Sequence, residues 1–270
     1  MTGLATQPRL WRSFCALGDS FTEGLMDAPG ADGRHRGWAD RVADALALRV
    51  DDFRYANLAI RGKLLHQVWQ EQVDLAVDLR PDLVSLAAGV NDTLRRSYDL
   101  NAAAEAIERS VRALRSAGSD VLLFEFGDPS RRSSLMRGVA SRIEAANAAT
   151  RAIAIAHDCY LASLWGCEVY DHDDMWDRDR LHLTPLGHRI SAAAALEGLG
   201  LGDGRWREPL PPGRQVGLVE RYAEHGRWTV EHFVPWVVRR IRGRSSGDGL
   251  QPKVPVLTPW PPETAGPGEG

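Results

Sequence analysis

Cysteine is scarce. The 270-residue chain holds three, Cys15, Cys159 and Cys167, an odd set without a repeating spacing. That argues against a disulfide framework or a cysteine-ligated metal as the organising device. Cys15 and Cys159 fall inside apolar runs and are expected as small buried hydrophobes in a reducing compartment. A basic excess is also missing. Lys and Arg total 33 against 36 Asp and Glu, a formal net charge of -3, so no nucleic-acid partner is expected. No stretch approaches the ~18 consecutive apolar residues of a membrane span. The opening MTGLATQPRLWRSF has no uninterrupted apolar core of the signal-peptide kind, and a cytoplasmic location is expected. No internal repeat is found.

What is present suffices for a sizeable core: 44% of residues are hydrophobic and 26% charged. Short β-type runs occupy residues 12–17, 52–59, 82–88, 120–126 and 159–164. The third and fourth are nearly continuous in apolar residues, as strands covered on both faces would be. Each run is followed by helical spacing. Trp38, Val42 and Leu46 share one face, as do Leu65, Val68 and Val73, and Ala103, Ile107, Val111 and Leu114. Ile143 and Ile153 mark a long fourth helix, and Thr184-Pro185 opens a fifth with a cap and a first-turn proline. Strand and helix alternating five times predict a doubly wound α/β domain with a five-stranded parallel sheet. In such sheets ligands sit beyond the carboxyl ends of the strands, where the strand order reverses.

The expected organisation is an α/β domain over 1–200, a Gly/Pro-rich linker over 201–217, a helical extension over 218–242 and a flexible tail over 243–270. Pro235 is expected to kink the extension. Its aromatics point to docking on the domain. Membrane contact is the less favoured reading, because Glu220, Glu224 and Glu231 are mixed with its arginines.

Polar motifs follow the strands. Gly18-Asp19-Ser20-Phe21-Thr22-Glu23-Gly24 follows the first, Gly62 the second, Gly89-Val90-Asn91-Asp92 the third, and Asp179-Arg180-Leu181-His182 the fifth. All four therefore meet at one sheet edge. Acyl transfer needs these types. A serine hydroxyl is a weak nucleophile until a base takes its proton, and an imidazole with an ordinary pKa of about 6.5 suits that exchange. Asp179 lies three residues before His182, so one tight turn can bring its carboxylate to the ring. The backbone N–H groups of Ser20 and Gly62 and the amide of Asn91 are suitable oxyanion donors. Asp92 and Glu23 are read as structural, His188 as a packing histidine, and 171–174 as a solvated acidic loop. Met175, Trp176 and Leu181 are read equally as an acyl pocket or as packing for the loop. No metal or cofactor is implied. Ser20 does not sit in a Gly-x-Ser-x-Gly elbow, which argues against the α/β-hydrolase fold.

These motifs resemble the SGNH/GDSL hydrolases over roughly the first two hundred residues. The four name-giving residues match Ser20, Gly62, Asn91 and His182 in order. The resemblance implies a flavodoxin-like three-layer α/β/α fold, with Ser20 as nucleophile, His182 as base and Asp179 as its orienting acid. It further implies an oxyanion hole from Ser20, Gly62 and Asn91. The expected activity is hydrolysis of a carboxylic ester of a small molecule, lipid or sugar. The alternatives are a thioesterase or carbohydrate O-deacetylase with the same apparatus, and an inactive binding module of the same fold.

Overall fold

Strand and helix alternate along the chain as the apolar runs predict. The computed structural model describes residues 9–30, 33–131, 136–211 and 246–262. In chain order the elements are β1 (Ser13–Gly18), the short α1 (Ser20–Glu23), α2 (Gly37–Ala47), β2 (Arg54–Asn57) and α3 (Leu65–Val68). A π turn over Trp69–Val73 carries α3 into α4 (Asp74–Leu79). Then follow β3 (Leu83–Ala87), α5 (Val90–Thr93), α6 (Leu100–Ser116), β4 (Asp120–Glu125), α7 (Arg137–Ala156), β5 (Tyr160–Ser163), α8 (Pro185–Gly198) and β6 (Val254–Pro259).

The strands form one sheet in the order β5-β4-β3-β1-β2-β6. The first five are mutually parallel and run in the flavodoxin order. The chain passes from β1 outward to β2, then crosses back to β3 on the other side of β1, so the switch point lies between β1 and β3. Side chains alternate across the sheet. On β1, Phe14 and Ala16 join a core with Trp38, Val42 and Leu46 of α2 and Ile190 and Ala195 of α8. Cys15 and Leu17 point the other way, to Leu65, Val68, Ile107, Val111 and Leu114 of α3 and α6. On β4, Leu122 and Phe124 belong to the first core and Val121 and Leu123 to the second. The result is the expected three-layer sandwich. The caps are local: Asp99 accepts the Asn101 and Ala102 N–H groups at 2.8 and 3.1 Å to open α6, and Thr184 accepts that of Gly187 at 3.2 Å to open α8.

The strand count needs correction. The sheet has six strands, not five, and is mixed, because β6 runs antiparallel to β2 at the edge. Residues 246–262 were expected within a flexible tail and instead hold this strand. Pro255 and Pro259 hide it in the sequence, since proline reads as a breaker yet is tolerated on an edge strand with one unpaired side. Part of the expected linker also packs: Trp206 is buried and donates its Nε1–H to Glu197 at the end of α8. The helical extension expected over 218–242 lies outside the described residues. No helix among the described residues is long and apolar enough to cross a membrane.

Candidate active site

β1 delivers its last residue, Gly18, to the switch point. Its φ is +153°, and a Cβ there would lie 2.3 Å from the Ala87 carbonyl oxygen of β3, so a side chain is excluded. Asp19 caps α1 by accepting the Phe21 N–H at 3.1 Å. Ser20 is thus the first residue of a helix, where backbone N–H groups have no intrahelical acceptor.

The long loop after β5 brings in the partner. It is fastened by Met175, which is fully buried, and by Trp176, whose Nε1–H donates to the Tyr170 carbonyl at 2.9 Å. Both side chains therefore pack the loop, while Leu181 is 38% exposed. The Asp177 N–H closes on the His182 carbonyl at 2.8 Å. Asp179 Oδ1 accepts the Leu181 and His182 N–H groups, each at 2.9 Å, and Oδ2 lies 2.5 Å from His182 Nδ1. His182 Nε2 lies 3.0 Å from Ser20 Oγ. A carboxylate can only accept, so Nδ1 carries the ring proton in the neutral imidazole and Nε2 is left to accept from the serine O–H. Burial pushes the Asp179 carboxyl up, but the His182 hydrogen bond and charge and the two backbone donors outweigh it and hold it at about 2.

Asn91 stands on α5, directly after β3. Its Nδ2 donates to Asp19 Oδ2 at 3.0 Å and to the Lys63 carbonyl at 3.2 Å. An oxyanion held by this amide would therefore share it with one of these acceptors. Gly62 lies in the loop after β2, which runs beside β1 through Leu58 N–H to Ala16 O at 2.9 Å and Ile60 N–H to Gly18 O at 3.4 Å. Glu23 pairs with Arg61: it accepts the Arg61 backbone N–H at 2.7 Å and its guanidinium Nε–H, tying α1 to the Gly62 loop. Asp92 accepts the Leu65 N–H at 3.1 Å, the structural use anticipated for it. His188 is buried and donates Nε2–H to the Leu25 carbonyl at 3.1 Å. Arg131 pairs with Asp171 at 2.6 Å, and His172 Nε2 donates to the Pro211 carbonyl at 2.8 Å.

Two residues at the site escape the sequence reading. Gln72 is buried and spans Gly18, donating to its carbonyl at 2.9 Å and accepting its N–H at 2.8 Å. It lies within the π turn over Trp69–Val73, a type of helix defect common at functional sites. Asp19 is 4% exposed, and burial pushes its carboxyl up to about 7 against the Phe21 N–H and the His182 charge. Asp19 has no sequence signal beyond its place in the 18–24 motif, whereas Gln72, seven residues after Leu65 and four after Val68, is a polar residue on the apolar helix face.

Residues 16–190 match the sequence profile of the GDSL-like lipase/acylhydrolase family. No curated protein sequence matches the chain. Several solved structures share its fold. LAE5, an alpha/beta hydrolase enzyme from the metagenome of Lake Arreo, Spain, superposes with a TM-score of 0.59 at 19% identity, covering 71% of this chain and 96% of that one. A catalytic mutant of Axe2, an acetylxylan esterase from Geobacillus stearothermophilus, gives 0.60 at 18% identity over 72% and 97%. The lipase/acylhydrolase from Enterococcus faecalis gives 0.56 at 20% identity over 76% and 100%.

Proposed function

The chain belongs to the GDSL-like lipase/acylhydrolase family, a carboxylic ester hydrolase by that membership, and on that premise we propose that it cleaves its ester through an acyl-enzyme on Ser20. The observation that carries this reading is the unbroken line from Ser20 Oγ through the His182 ring to Asp179. In the proposed sequence His182 Nε2 takes the hydroxyl proton as Oγ bonds to the ester carbonyl carbon. The carbonyl electrons move onto oxygen, held by the Ser20 and Gly62 N–H groups and the Asn91 amide. Collapse expels the alcohol, which receives the proton from Nε2. Water, deprotonated by the same nitrogen, then bonds to the acyl carbon, and collapse breaks the bond to Oγ, frees the acid and returns the proton from Nε2 to Ser20. Asp179 keeps the ring in the accepting tautomer and offsets the imidazolium charge. A sugar acetate or a thioester would pass through the same steps. A chain-length series of p-nitrophenyl esters, run beside acetylated sugars and an acyl-CoA, separates these substrates.

A fluorophosphonate probe tests the chemistry without knowledge of the substrate. It is expected to label the protein stoichiometrically on the peptide that carries Ser20. An unlabelled, folded protein supports instead the inactive binding module.

Asn91→Ala is expected to lower kcat by about 10²-fold or more, since one oxyanion donor acts mainly in the transition state. KM should change little. Steady-state kinetics check the split, and a change confined to KM assigns Asn91 to substrate holding.

A further inference from the structure

The C-terminal strand lies outside the matched family region, yet it reaches the nucleophile helix through the protein interior. β6 pairs with β2, Tyr55 opposite Thr258 and Asn57 opposite Val254, with an irregularity between. Lys253, just before it, turns inward with its side chain 8% exposed. Its ammonium donates to Asp40 Oδ2 at 2.8 Å, the Arg36 carbonyl at 2.8 Å and the His35 carbonyl at 3.0 Å, which uses all three hydrogens. Asp40 Oδ1 accepts the Tyr55 hydroxyl at 2.7 Å. Asn57 Nδ2 in turn donates to the Tyr55 oxygen at 2.9 Å and to the Thr22 carbonyl at 3.0 Å. Asn57 Oδ1 accepts the Ala59 N–H at 3.1 Å. Thr22 belongs to α1, two residues past Ser20, and Ala59 leads into the Gly62 loop. Tyr55, Asn57 and Thr22 are wholly buried.

We propose that Lys253 is a positioning residue for Ser20, acting through Asp40, Tyr55 and Asn57 on α1 and on the Gly62 loop. The proposal rests on the reading of Ser20 as nucleophile. Its physical basis is compensation. A buried carboxylate without a cation carries a heavy desolvation cost, and the line is stable only while every member is satisfied. Burial pushes the Asp40 carboxyl up to about 6, against the pull of Lys253. Remove the ammonium, and Asp40 must take up a proton or draw in water, and the donors aligned on it lose their fixed geometry. The same segment bears on the site a second time. Gly247 packs so closely on the Gly62 loop that a Cβ would lie 2.1 Å from the Arg61 carbonyl oxygen.

The test compares full-length variants. Lys253→Met is expected to lower kcat by about tenfold to a hundredfold, the range of a small misplacement of a reacting group, with KM little changed. The rate of fluorophosphonate labelling should fall by the same factor. The pair Lys253→Met with Asp40→Asn removes both charges, keeps an acceptor for Tyr55, and should regain most of the lost kcat. Leu114→Ala, a core change on α6, provides a variant of lowered Tm whose kcat should stay at the wild-type level. Tyr55→Phe cuts the line with almost no change in volume and should show the kcat loss even if Lys253→Met does not fold. Wild-type kcat and labelling in folded Lys253→Met or Tyr55→Phe overturn the proposal. So does a loss no larger than that of Leu114→Ala at equal Tm. A wild-type protein that resists the probe, together with an active Ser20→Ala, overturns the Ser20 reading instead.

Discussion

Ser20→Ala is expected to reduce kcat/KM for ester cleavage by about 10³-fold or more while the fold stays in place. The two halves of this expectation come from different features. Ser20 Oγ faces His182 Nε2 at 3.0 Å, and the side chain is neither the cap of α1 nor part of either apolar core. Asp19 caps the helix instead, and alanine is the best helix former, so Tm should hardly move. Without Oγ the proposed acyl-enzyme route closes. What remains is direct attack by water, aided by the proposed oxyanion donors and by His182. Kinetics on short-chain p-nitrophenyl esters, with circular dichroism and a melting curve on the same sample, measure both halves. Full activity in the folded variant would remove Ser20 from the mechanism.

Much of this architecture is legible because its signals are local. The strand runs announce themselves by continuous burial: Val84 and Leu86 face one core and Leu83 the other, so no polar alternation remains to confuse the reading. Thr184-Pro185 specifies the start of α8 within two residues. The motifs at 18–24, 89–92 and 179–182 each follow a strand, and a doubly wound sheet brings such positions to one edge. The parts that stayed hidden depend on residues far apart in the chain. Lys253 and Asp40 are 213 positions apart, and nothing near either one says that they meet. Gln72 lies 54 positions from Gly18, and although its spacing from Leu65 and Val68 puts it on the apolar helix face, nothing near it names Gly18 as its partner. β6 carries two prolines in six residues, and its partner strand supplies the only reason for it to be a strand. Glu23 is read as structural from its place at the helix start, and only the fold supplies its partner, Arg61, which makes the pair a clasp between α1 and the Gly62 loop.

Asp179→Asn is expected to lower kcat by about 10³- to 10⁴-fold with KM little changed, although it alters only one atom. The amide oxygen can still accept the Leu181 and His182 N–H groups, so the turn survives. The amide nitrogen, however, would face His182 Nδ1 as a donor, and the ring would answer by moving its proton to Nε2. Nε2 would then present a hydrogen to Ser20 Oγ and could not take one. Acid stability carries a second, independent mark of the same carboxylate. Its pKa in the folded protein, about 2, lies below its ordinary value of 3.8. The unfolded chain binds the proton more readily, so the stabilisation is present above about pH 4 and is lost as pH falls towards 2. Between these values the wild-type Tm should drop more steeply than that of Asp179→Asn, which has no proton to bind there. At pH 7 and above, kcat should separate the two proteins far more than Tm does. A loss of less than about tenfold in kcat would mean that His182 is held in its working tautomer by something other than Asp179.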